Sequence, residues 1–323
     1  MVMSTEGVRA SVIVAVKDEA ERIDPCLESL LSQTYKNYEV IVVDGGSTDG
    51  TIEIVNSYAE RMPDKIRLTT EPGRGPGYAR NLGVKMSKGE ILIFLDGDDE
   101  VNPEYLEKVT RHFEKPEVAA VSTRMIFRSG ETLWGRIQDL WRRTRWSQET
   151  TRFPTAMRRE AFEEVGGYNE SLVVGEDYDL WDRLRRYITE GKLKTDREPE
   201  AVIYSTSEDT PAEIFRHGVW FGRNLPQLLK LHPKYGGPIL LWSLFNVLPL
   251  PLMALLLIPQ LRWIPITYLG VYLTVWLYLT VRALTVPLKV EDSAPRILFL
   301  LAPLLQFLVG LAILTGLIKG FIG

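Results

Sequence analysis

Only one cysteine, Cys26, occurs in the 323 residues of the chain. A single cysteine cannot form a disulfide bond within the chain, and it excludes a metal site built from several thiolates. Basic residues are not in excess either, since the formal net charge is −4, and this argues against nucleic acid as a partner. The first residues carry no long apolar run, so we expect no cleavable signal peptide.

Short apolar runs alternate with helical patterns in the N-terminal part of the chain. Residues 11–16, 38–43 and 91–95 have the composition of buried strands, and polar turns follow them. Strands that alternate with helices predict right-handed βαβ units. We therefore expect an α/β fold with a mostly parallel sheet flanked by helices.

Acidic side chains follow these predicted strands. Because the carboxyl ends of parallel strands meet at one edge of a sheet, we expect the acidic side chains to face a common crevice. Mg²⁺ and Mn²⁺ prefer oxygen ligands and are commonly bound by one or two carboxylates together with phosphate oxygens. The pattern predicts a divalent-cation site that serves a diphosphate, and the alternative is a solvated acidic turn. The residues concerned are Asp18, Glu19, Asp44, Asp96 and Asp98.

Two further segments place charged residues near predicted helix starts. Alternate glycines in residues 73–77 precede a predicted helix with Arg80, and glycine allows an anionic ligand to approach the backbone closely. Glu176 and Asp177 begin another predicted helix, whose dipole favours an ionised carboxylate at this end. The alternatives are a surface arginine and a plain N-terminal cap.

Five ordered motifs resemble those of the inverting family 2 glycosyltransferases with the GT-A fold. The resemblance covers roughly the first two thirds of the chain, and several ordered motifs are more specific than any one of them. It implies transfer of a sugar from a UDP- or GDP-linked donor to an acceptor, with inversion at the anomeric carbon. The motifs are VIVAVKDEAERI, VVDGGSTDGT, GPGYARNLG, FLDGDD and GEDYDLWDRL.

The same resemblance implies donor-side roles for individual residues. Glu19 and Asp44 would contact the nucleobase or the ribose of the donor. Arg80 would contact the diphosphate, and Asp96 the ribose or metal region. Asp98 would bind the divalent cation, Mg²⁺ or Mn²⁺.

On the acceptor side, the resemblance implies that Asp177 is the general base. The chemistry requires one, because a hydroxyl is a poor nucleophile until a base takes its proton. Glu176 is a candidate acceptor-side residue beside it. Ala15, Asp18 and Gly45 stand where the family often has Pro, Asn and a second Asp. These departures concern the nucleobase side of the site rather than the metal side.

Residues 134–146 combine aromatic and basic side chains at helical spacing. Such a segment is typical of an interfacial helix that meets anionic headgroups or a phosphorylated lipid. The alternative is an ordinary helix packed on the sheet, with its tryptophans in the core. Because the segment lies between the donor motifs and the predicted base, we take Trp141 and Arg145 as candidate acceptor-side residues.

Apolar residues dominate the C-terminal part in three blocks, residues 238–258, 263–281 and 297–318. Each block is close to the roughly 20 residues that a helix needs to cross a bilayer. We therefore predict a GT-A domain over residues 1–233 and a membrane domain with three transmembrane helices over residues 234–323.

Basic residues flank the predicted spans unevenly. Arg216, Arg223, Lys230 and Lys234 precede the first span. The positive-inside rule then places the N-terminal domain in the cytosol, where nucleotide sugars are made. The sequence predicts a multi-pass glycosyltransferase of the cell membrane that acts on a lipid-linked sugar or on another hydroxyl at the bilayer surface.

Two alternatives stay open at this point. A polyprenyl (dolichyl)-phosphate glycosyl synthase would use a lipid phosphate, an acceptor that is already an anion and needs no base. A nucleotide-sugar-binding regulatory module of a membrane complex would bind the donor without turnover. An oligomeric assembly is compatible with each of these functions.

Overall fold

The computed structural model describes residues 9–128, 132–145, 151, 153–191, 193–206, 208–285 and 300–322. The chain folds into two compact units. We call Met1–Ile126 with Ser147–Ser205 the sheet unit, and Phe127–Trp146 with Thr206–Gly323 the helical unit. The helical unit includes residues 206–233, although the change in composition near residue 234 assigns them to the N-terminal domain.

Strands and helices alternate as predicted through the first part of the chain. The strands are β1 Ala10–Val16, β2 Tyr38–Asp44, β3 Ile66–Thr70, β4 Ile91–Asp96, β5 Asp99–Val101, β6 Val118–Arg128, β7 Ala156–Arg158 and β8 Lys194–Thr206. The helices are α1 Ile23–Leu31, α2 Thr51–Arg61, α3 Pro76–Met86, α4 Tyr105–His112, α5 Leu133–Arg145, α6 Arg159–Glu164, α7 Glu176–Glu190, α8 Pro211–Leu231, α9 Pro233–Val247, α10 Pro249–Leu252, α11 Trp263–Thr285 and α12 Ala302–Ile322.

The strands form one eight-stranded sheet in the order β3-β2-β1-β4-β7-β6-β8-β5. Strands β3, β2, β1 and β4 are parallel, and Val14 of β1 pairs with Val42 of β2 and Leu95 of β4. Antiparallel pairs join β7 to β4 and to β6, and β5 to β8. The predicted α/β fold is confirmed, and the sheet is mixed because antiparallel strands extend its parallel half.

Apolar side chains cover both faces of the parallel strands. Val12 and Val14 of β1 belong to one buried cluster, whereas Ile13 belongs to the cluster on the opposite face. This alternation explains why the strand sequences are almost continuously apolar. Cys26 of α1 lies in the first cluster and is fully buried.

The core of the helical unit is aromatic. Ile137, Leu140 and Trp141 of α5 are buried together with Trp276 of α11. The Trp141 ring stacks on Trp242 of α9 with a centroid separation of 5.8 Å and an interplanar angle of 17°. The apolar face of the predicted amphipathic segment therefore packs against the C-terminal helices.

Two helical segments are long and apolar enough to cross a membrane, Pro259–Ala283 and Ala302–Phe321. A third candidate consists of Pro233–Val247 and Pro249–Leu257, which meet at a bend of 44°. The prolines of Pro249–Leu257 lack backbone N–H donors near this bend, which accounts for the break in the helix. Residues 297–299 of the third predicted block lie outside the described residues.

Helix α8 packs closely against α12, the second candidate span, through glycines. A Cβ atom at Gly222 would lie 2.0 Å from the Ile313 carbonyl oxygen, and one at Gly316 would lie 2.0 Å from the Val219 carbonyl oxygen. Backbones approach this closely only where side chains are absent, and small residues allow the same close packing between helices in membranes.

The glycine contacts generate a stability prediction with a matched control. Gly222→Ala places a methyl group against backbone, and we expect it to destabilise the protein by about 1–3 kcal/mol. Gly237→Ala meets nothing within 4 Å in the described structure, so it should be neutral or stabilise by up to about 1 kcal/mol. Thermal unfolding of both full-length variants in detergent, followed by circular dichroism, measures the difference. Equal midpoints would show that α8 and α12 do not pack this way.

Candidate active site

The loops that follow β1 and β2 are joined to each other by hydrogen bonds. The Asp18 backbone N–H donates to Ser47 Oγ at 2.8 Å, and the Thr48 N–H donates to Asp18 Oδ1 at 2.8 Å. The Glu19 N–H donates to Thr51 Oγ1 at 2.9 Å. Asp18 has a left-handed backbone with φ of 54°, which costs free energy in a non-glycine residue and persists only where surrounding contacts hold it. The two loops thus form one ordered edge.

Two of the predicted donor-binding carboxylates lie in this edge. Asp44 is fully buried, and its Oδ1 accepts the N–H groups of Gly46 and Ser47, both at 2.9 Å. Its side chain therefore holds its own loop. Glu19 accepts a hydrogen bond from Arg22 at 3.2 Å, while burial raises the pKa of the Glu19 carboxyl.

Arg80 connects two elements of the sheet unit. The residue is 7% exposed, and its guanidinium donates to Asp96 Oδ1 at 2.7 Å and to Glu176 Oε1 at 2.9 Å. Asp177 Oδ1 lies 3.7 Å from the same guanidinium. One buried arginine thus brings the end of β4 together with the first turn of α7. Among the predicted site residues, Arg80, Asp96, Glu176 and Asp177 form a single cluster.

Burial and the neighbouring charges shift the pKa values of the carboxyl groups in this cluster. Burial and the charge of Asp177 raise the pKa of Glu176 to about 7, although Arg80 opposes the shift. The enclosed surroundings of the Asp177 carboxyl raise its pKa, Arg80 opposes this shift and Asp96 adds to it, while 44% of the side-chain surface stays exposed. Asp177 is therefore an accessible carboxylate that is more basic than an ordinary aspartate.

A second group of acids surrounds the exit of β4. Burial and the charges of Asp96 and Glu19 raise the pKa of Asp98 to about 7. The neighbouring Asp99 accepts the Asp96 N–H at 3.0 Å through Oδ2, and its buried Oδ1 has no hydrogen-bond partner among the described residues. Mutual repulsion and an unpaired carboxylate oxygen are features that a divalent cation relieves.

The oxygen-only chemistry of these acids suits Mg²⁺ or Mn²⁺. Within the part of the chain that the structure describes, no group of three His, Cys, Asp or Glu side chains is arranged to hold a metal by itself. Such a cation would depend on additional ligands such as phosphate oxygens and water, which is the usual arrangement for Mg²⁺ with a phosphorylated substrate. The residues around Asp98 therefore fit a metal that binds together with a diphosphate.

Two residues outside the predicted set support the cluster. The Asn81 side chain donates to the Tyr168 carbonyl oxygen at 2.9 Å and accepts the Tyr168 N–H at 2.9 Å. The Arg80 guanidinium carbon lies 5.3 Å from the centre of the Tyr168 ring. The close approach of Asn81 to the backbone beside Tyr168 depends on Gly167, because a Cβ atom at Gly167 would lie 2.8 Å from Asn81 Oδ1. The motifs ARN and GGY contain these residues, but their pairing is not visible in the sequence.

The remaining candidate acceptor-side residues belong to the helical unit. Trp141 is 8% exposed and lies in the aromatic core of that unit. It lines a cavity of about 200 Å³ together with Trp242, Ser243, Gln306 and Gly310 among others. The backbone of Arg145 belongs to α5, but its side chain lies outside the described part of the structure.

The raised pKa of Glu176 generates a prediction about stability. The folded protein retains this proton to about pH 7, whereas an unfolded chain releases it at about pH 4.3. Because the folded state binds the additional proton between these values, ionisation of Glu176 lowers the stability progressively as the pH rises between them.

Glu176→Gln removes this dependence. We expect the stability of the variant relative to wild type to increase by roughly 1–3 kcal/mol between pH 5 and pH 8. Thermal unfolding of the full-length protein at both pH values measures the change, with Glu190→Gln at the exposed end of the same helix as the control. A difference that is independent of pH would contradict the shift.

Comparison with known proteins assigns the family. The model of glycosyl transferase family 2 matches residues 11–167, and that of glycosyl transferase family group 2 matches residues 91–314. Glycosyltransferase AglE of Haloferax volcanii is 44% identical over 100 residues, which are 30% of this chain and 33% of that protein. The chain spans about a third of the length of the first curated relatives that it matches.

Longer matches agree with this assignment. A PGL/p-HBAD biosynthesis glycosyltransferase of Mycobacterium tuberculosis is 30% identical over 172 residues, 53% of this chain and 67% of that protein. Among solved structures, mannosyltransferase PcManGT from Pyrobaculum calidifontis, in complex with GDP-Man and Mn²⁺, has a TM-score of 0.55 at 20% identity, over 98% of this chain and 88% of that one. The structural similarity shows a shared GT-A-like fold, and the second family model covers more than half of the chain. The chain therefore belongs to the family 2 glycosyltransferases.

Proposed function

We propose that the protein is a membrane-bound inverting glycosyltransferase that moves a sugar from a nucleoside diphosphate sugar to a hydroxyl of a lipid-linked or membrane-surface acceptor. One observation carries the proposal: Arg80 brings Asp177, an exposed carboxylate with a raised pKa, next to the acidic end of β4. A base and a diphosphate-binding region thus lie side by side, as a transfer between donor and acceptor requires.

Asp177 is the proposed general base. Its carboxylate takes the proton of the acceptor hydroxyl while the hydroxyl oxygen forms a bond to the anomeric carbon. The bond between that carbon and the diphosphate oxygen breaks, and its electron pair leaves with the nucleoside diphosphate. The acceptor attacks from the side opposite the leaving group, so the configuration inverts. The raised pKa strengthens Asp177 as a base while its exposed carboxylate stays within reach of an acceptor.

Positive charge near the leaving diphosphate is the second requirement. Arg80 is the proposed diphosphate contact, and its buried Nε has no hydrogen-bond partner among the described residues. A diphosphate would compete with Glu176 and Asp96 for the guanidinium. Asp98 would hold Mg²⁺ or Mn²⁺ beside Asp96, and the bound cation would neutralise charge that develops on the diphosphate. The solved mannosyltransferase with GDP-Man and Mn²⁺ supports this choice of donor and metal class.

The edge formed by the β1 and β2 loops is the proposed nucleoside site. Glu19 lies in this edge with a raised pKa, and Asp44 orders the loop beside it. The choice between a UDP-linked and a GDP-linked donor depends on individual hydrogen bonds to the base.

The helical unit is the proposed membrane and acceptor side. Its two candidate spans support anchoring in the cell membrane, and the basic residues before them support a cytosolic sheet unit. The cavity beside Trp141 is lined mostly by apolar side chains, which suits the hydrocarbon part of a lipid acceptor. We retain Trp141 as a proposed acceptor-side residue on this basis. Arg145 stays a proposal from the sequence, because it belongs to the same aromatic and basic segment.

The base assignment is tested by Asp177→Asn. The amide has the same shape but cannot accept the hydroxyl proton, so we expect the transfer rate to fall by about 10²–10⁴-fold while donor affinity is retained. Asp179→Asn is the matched control, since Asp179 lies in the same helical turn but pairs with Arg183. Rates come from product formation and affinities from donor titration. Near-normal transfer by Asp177→Asn would exclude Asp177 as the base.

The acceptor is tested by mass spectrometry of lipid extracts. Purified, detergent-solubilised protein is incubated with UDP- and GDP-sugars, with Mg²⁺ or Mn²⁺ or with a chelator. Polyprenyl phosphate and a polyprenyl-diphosphate-linked sugar are offered as acceptors. We expect one added sugar on the sugar-bearing lipid, and none in the chelated sample.

Other products would replace the proposal. A sugar on the bare lipid phosphate alone would indicate a polyprenyl-phosphate glycosyl synthase. Donor binding without any product would indicate a regulatory binding module. Product in the chelated sample would exclude the metal.

A further inference from the structure

Three adjacent parallel strands end beside one another, and a charged residue follows each of the outer two. Glu71 follows β3 and Lys17 follows β1, while β2 lies between these strands. The Glu71 backbone N–H donates to the Asp44 carbonyl oxygen at 2.8 Å. The Gly45 N–H donates to the Val16 carbonyl oxygen, also at 2.8 Å. Backbone hydrogen bonds thus hold the three strand ends next to one another.

The Glu71 carboxylate reaches over the end of β2, where a glycine follows the strand. A Cβ atom at Gly45 would lie 3.1 Å from Glu71 Oε1 and 3.5 Å from the Lys17 Cβ atom. Gly45 stands where the family often has an Asp, and the acidic group beside this position comes from the end of β3 instead. The Glu71 carboxylate therefore borders the edge formed by the β1 and β2 loops, which is the proposed nucleoside site.

Burial leaves the Glu71 carboxylate with few hydrogen-bond donors. The residue is 6% exposed, and its Oε2 accepts the Arg74 backbone N–H at 2.7 Å. Its Oε1 accepts no hydrogen bond from another residue that the structure describes. A carboxylate that is removed from water costs free energy unless donors compensate it. The free oxygen therefore points to a ligand that supplies N–H groups.

A cation lies close to the same glycine. Lys17 is exposed, and within the described ranges it forms no ion pair with Glu71 or with another residue. A Cβ atom at Gly73 would lie 3.4 Å from Lys17 Nζ and 3.4 Å from the Gly45 carbonyl oxygen. Because Gly45 and Gly73 have no side chains, a flat ligand can approach the backbone beside both charged groups.

The two charged groups match the hydrogen-bonding edge of guanine. The N1–H and the N2 amino group of guanine are adjacent donors, which suit one carboxylate, and the neighbouring O6 is an acceptor that suits an ammonium group. Uracil has a single N–H between two carbonyl oxygens, so a carboxylate at this edge is repelled on both sides. Polar sites discriminate between ligands in this way, because the wrong ligand leaves buried polar groups unpaired.

We infer that Glu71 and Lys17 select a GDP-linked donor over a UDP-linked one. The Glu71 carboxylate would accept hydrogen bonds from N1–H and N2–H of guanine, and the Lys17 ammonium group would donate to O6. This inference rests on the proposed function, because it takes the edge of the β1 and β2 loops as the nucleoside site. It adds the identity of the base and two residues that determine it.

The test measures nucleotide binding by full-length protein in detergent, without an acceptor. GDP, UDP and inosine diphosphate, which lacks the N2 amino group of guanine, are titrated by isothermal calorimetry with Mg²⁺ present. We expect GDP to bind at least about tenfold more tightly than UDP, since one hydrogen bond to a charged group has an effect of this size. Inosine diphosphate should bind more weakly than GDP, because the carboxylate loses one of its two donors.

Two variants remove the charged groups one at a time. We expect Glu71→Gln to bind GDP about 10–100-fold more weakly with little change for UDP, because its amide group turns a donor toward the donors of guanine. Lys17→Gln should also weaken GDP binding, and Lys17 is exposed, so this variant tests the site without removing a buried group. Glu60→Gln, at an exposed position of α2, loses the same charge as Glu71→Gln and should bind all three nucleotides as wild type does. Thermal unfolding without nucleotide checks that each variant is folded.

Three outcomes would overturn the inference. The first is binding of UDP by wild-type protein that is as tight as binding of GDP. The second is an equal affinity for GDP and inosine diphosphate. The third is an equal loss of GDP and UDP binding in Glu71→Gln, which would show that the carboxylate only holds its loop. Each of these leaves the proposed function intact, because a UDP-linked donor also serves it, whereas failure to bind any of the nucleotides would contradict both.

Discussion

A buried guanidinium that must be neutralised is the constraint on which the sheet unit depends. Arg80 is removed from water, and an isolated charge in that position would cost several kcal/mol. Its partners come from distant parts of the chain, Asp96 at the end of β4 and Glu176 at the start of α7. The ion pairs therefore fix where α7 begins relative to the sheet. Asp177 receives its position as a consequence, because it is the next residue of that helix.

The cluster also explains why so many acids can lie at one edge of the sheet. One guanidinium cannot neutralise all of them, and burial together with the excess of negative charge raises the pKa values of Glu176 and Asp98. Structural stability alone would favour fewer carboxylates. The surplus is understandable if the edge meets additional positive charge during function, from a divalent cation that arrives with the diphosphate.

Sequence patterns predict the parallel half of the sheet well, because these strands are buried on both faces and so are continuously apolar. Residues 38–43 become β2, Tyr38–Asp44, and residues 91–95 become β4, Ile91–Asp96. The antiparallel half is not predictable in this way. Strand β5 has only three residues, and β8 begins with the charged run KTDREPE, so their pairing depends on tertiary contacts.

The candidate site shows the same division. Motifs locate Arg80 and Asp177 individually, but a sequence does not reveal that they lie 3.7 Å apart. It also does not reveal that Asn81 holds the backbone of Tyr168. The packing of helix α8 is also not visible in the sequence. Its charged residues give no sign of the glycine-lined side that packs against an apolar helix.

The burial of Cys26 has a practical consequence. Its thiol is enclosed by the core beneath α1, and burial raises its pKa well above the usual value, so the reactive thiolate is scarce. The folded protein therefore offers no accessible native thiol to an alkylating reagent. A cysteine placed at an exposed position would be the one residue to react, and a membrane-impermeant maleimide could then report from which side of the bilayer each loop is reached.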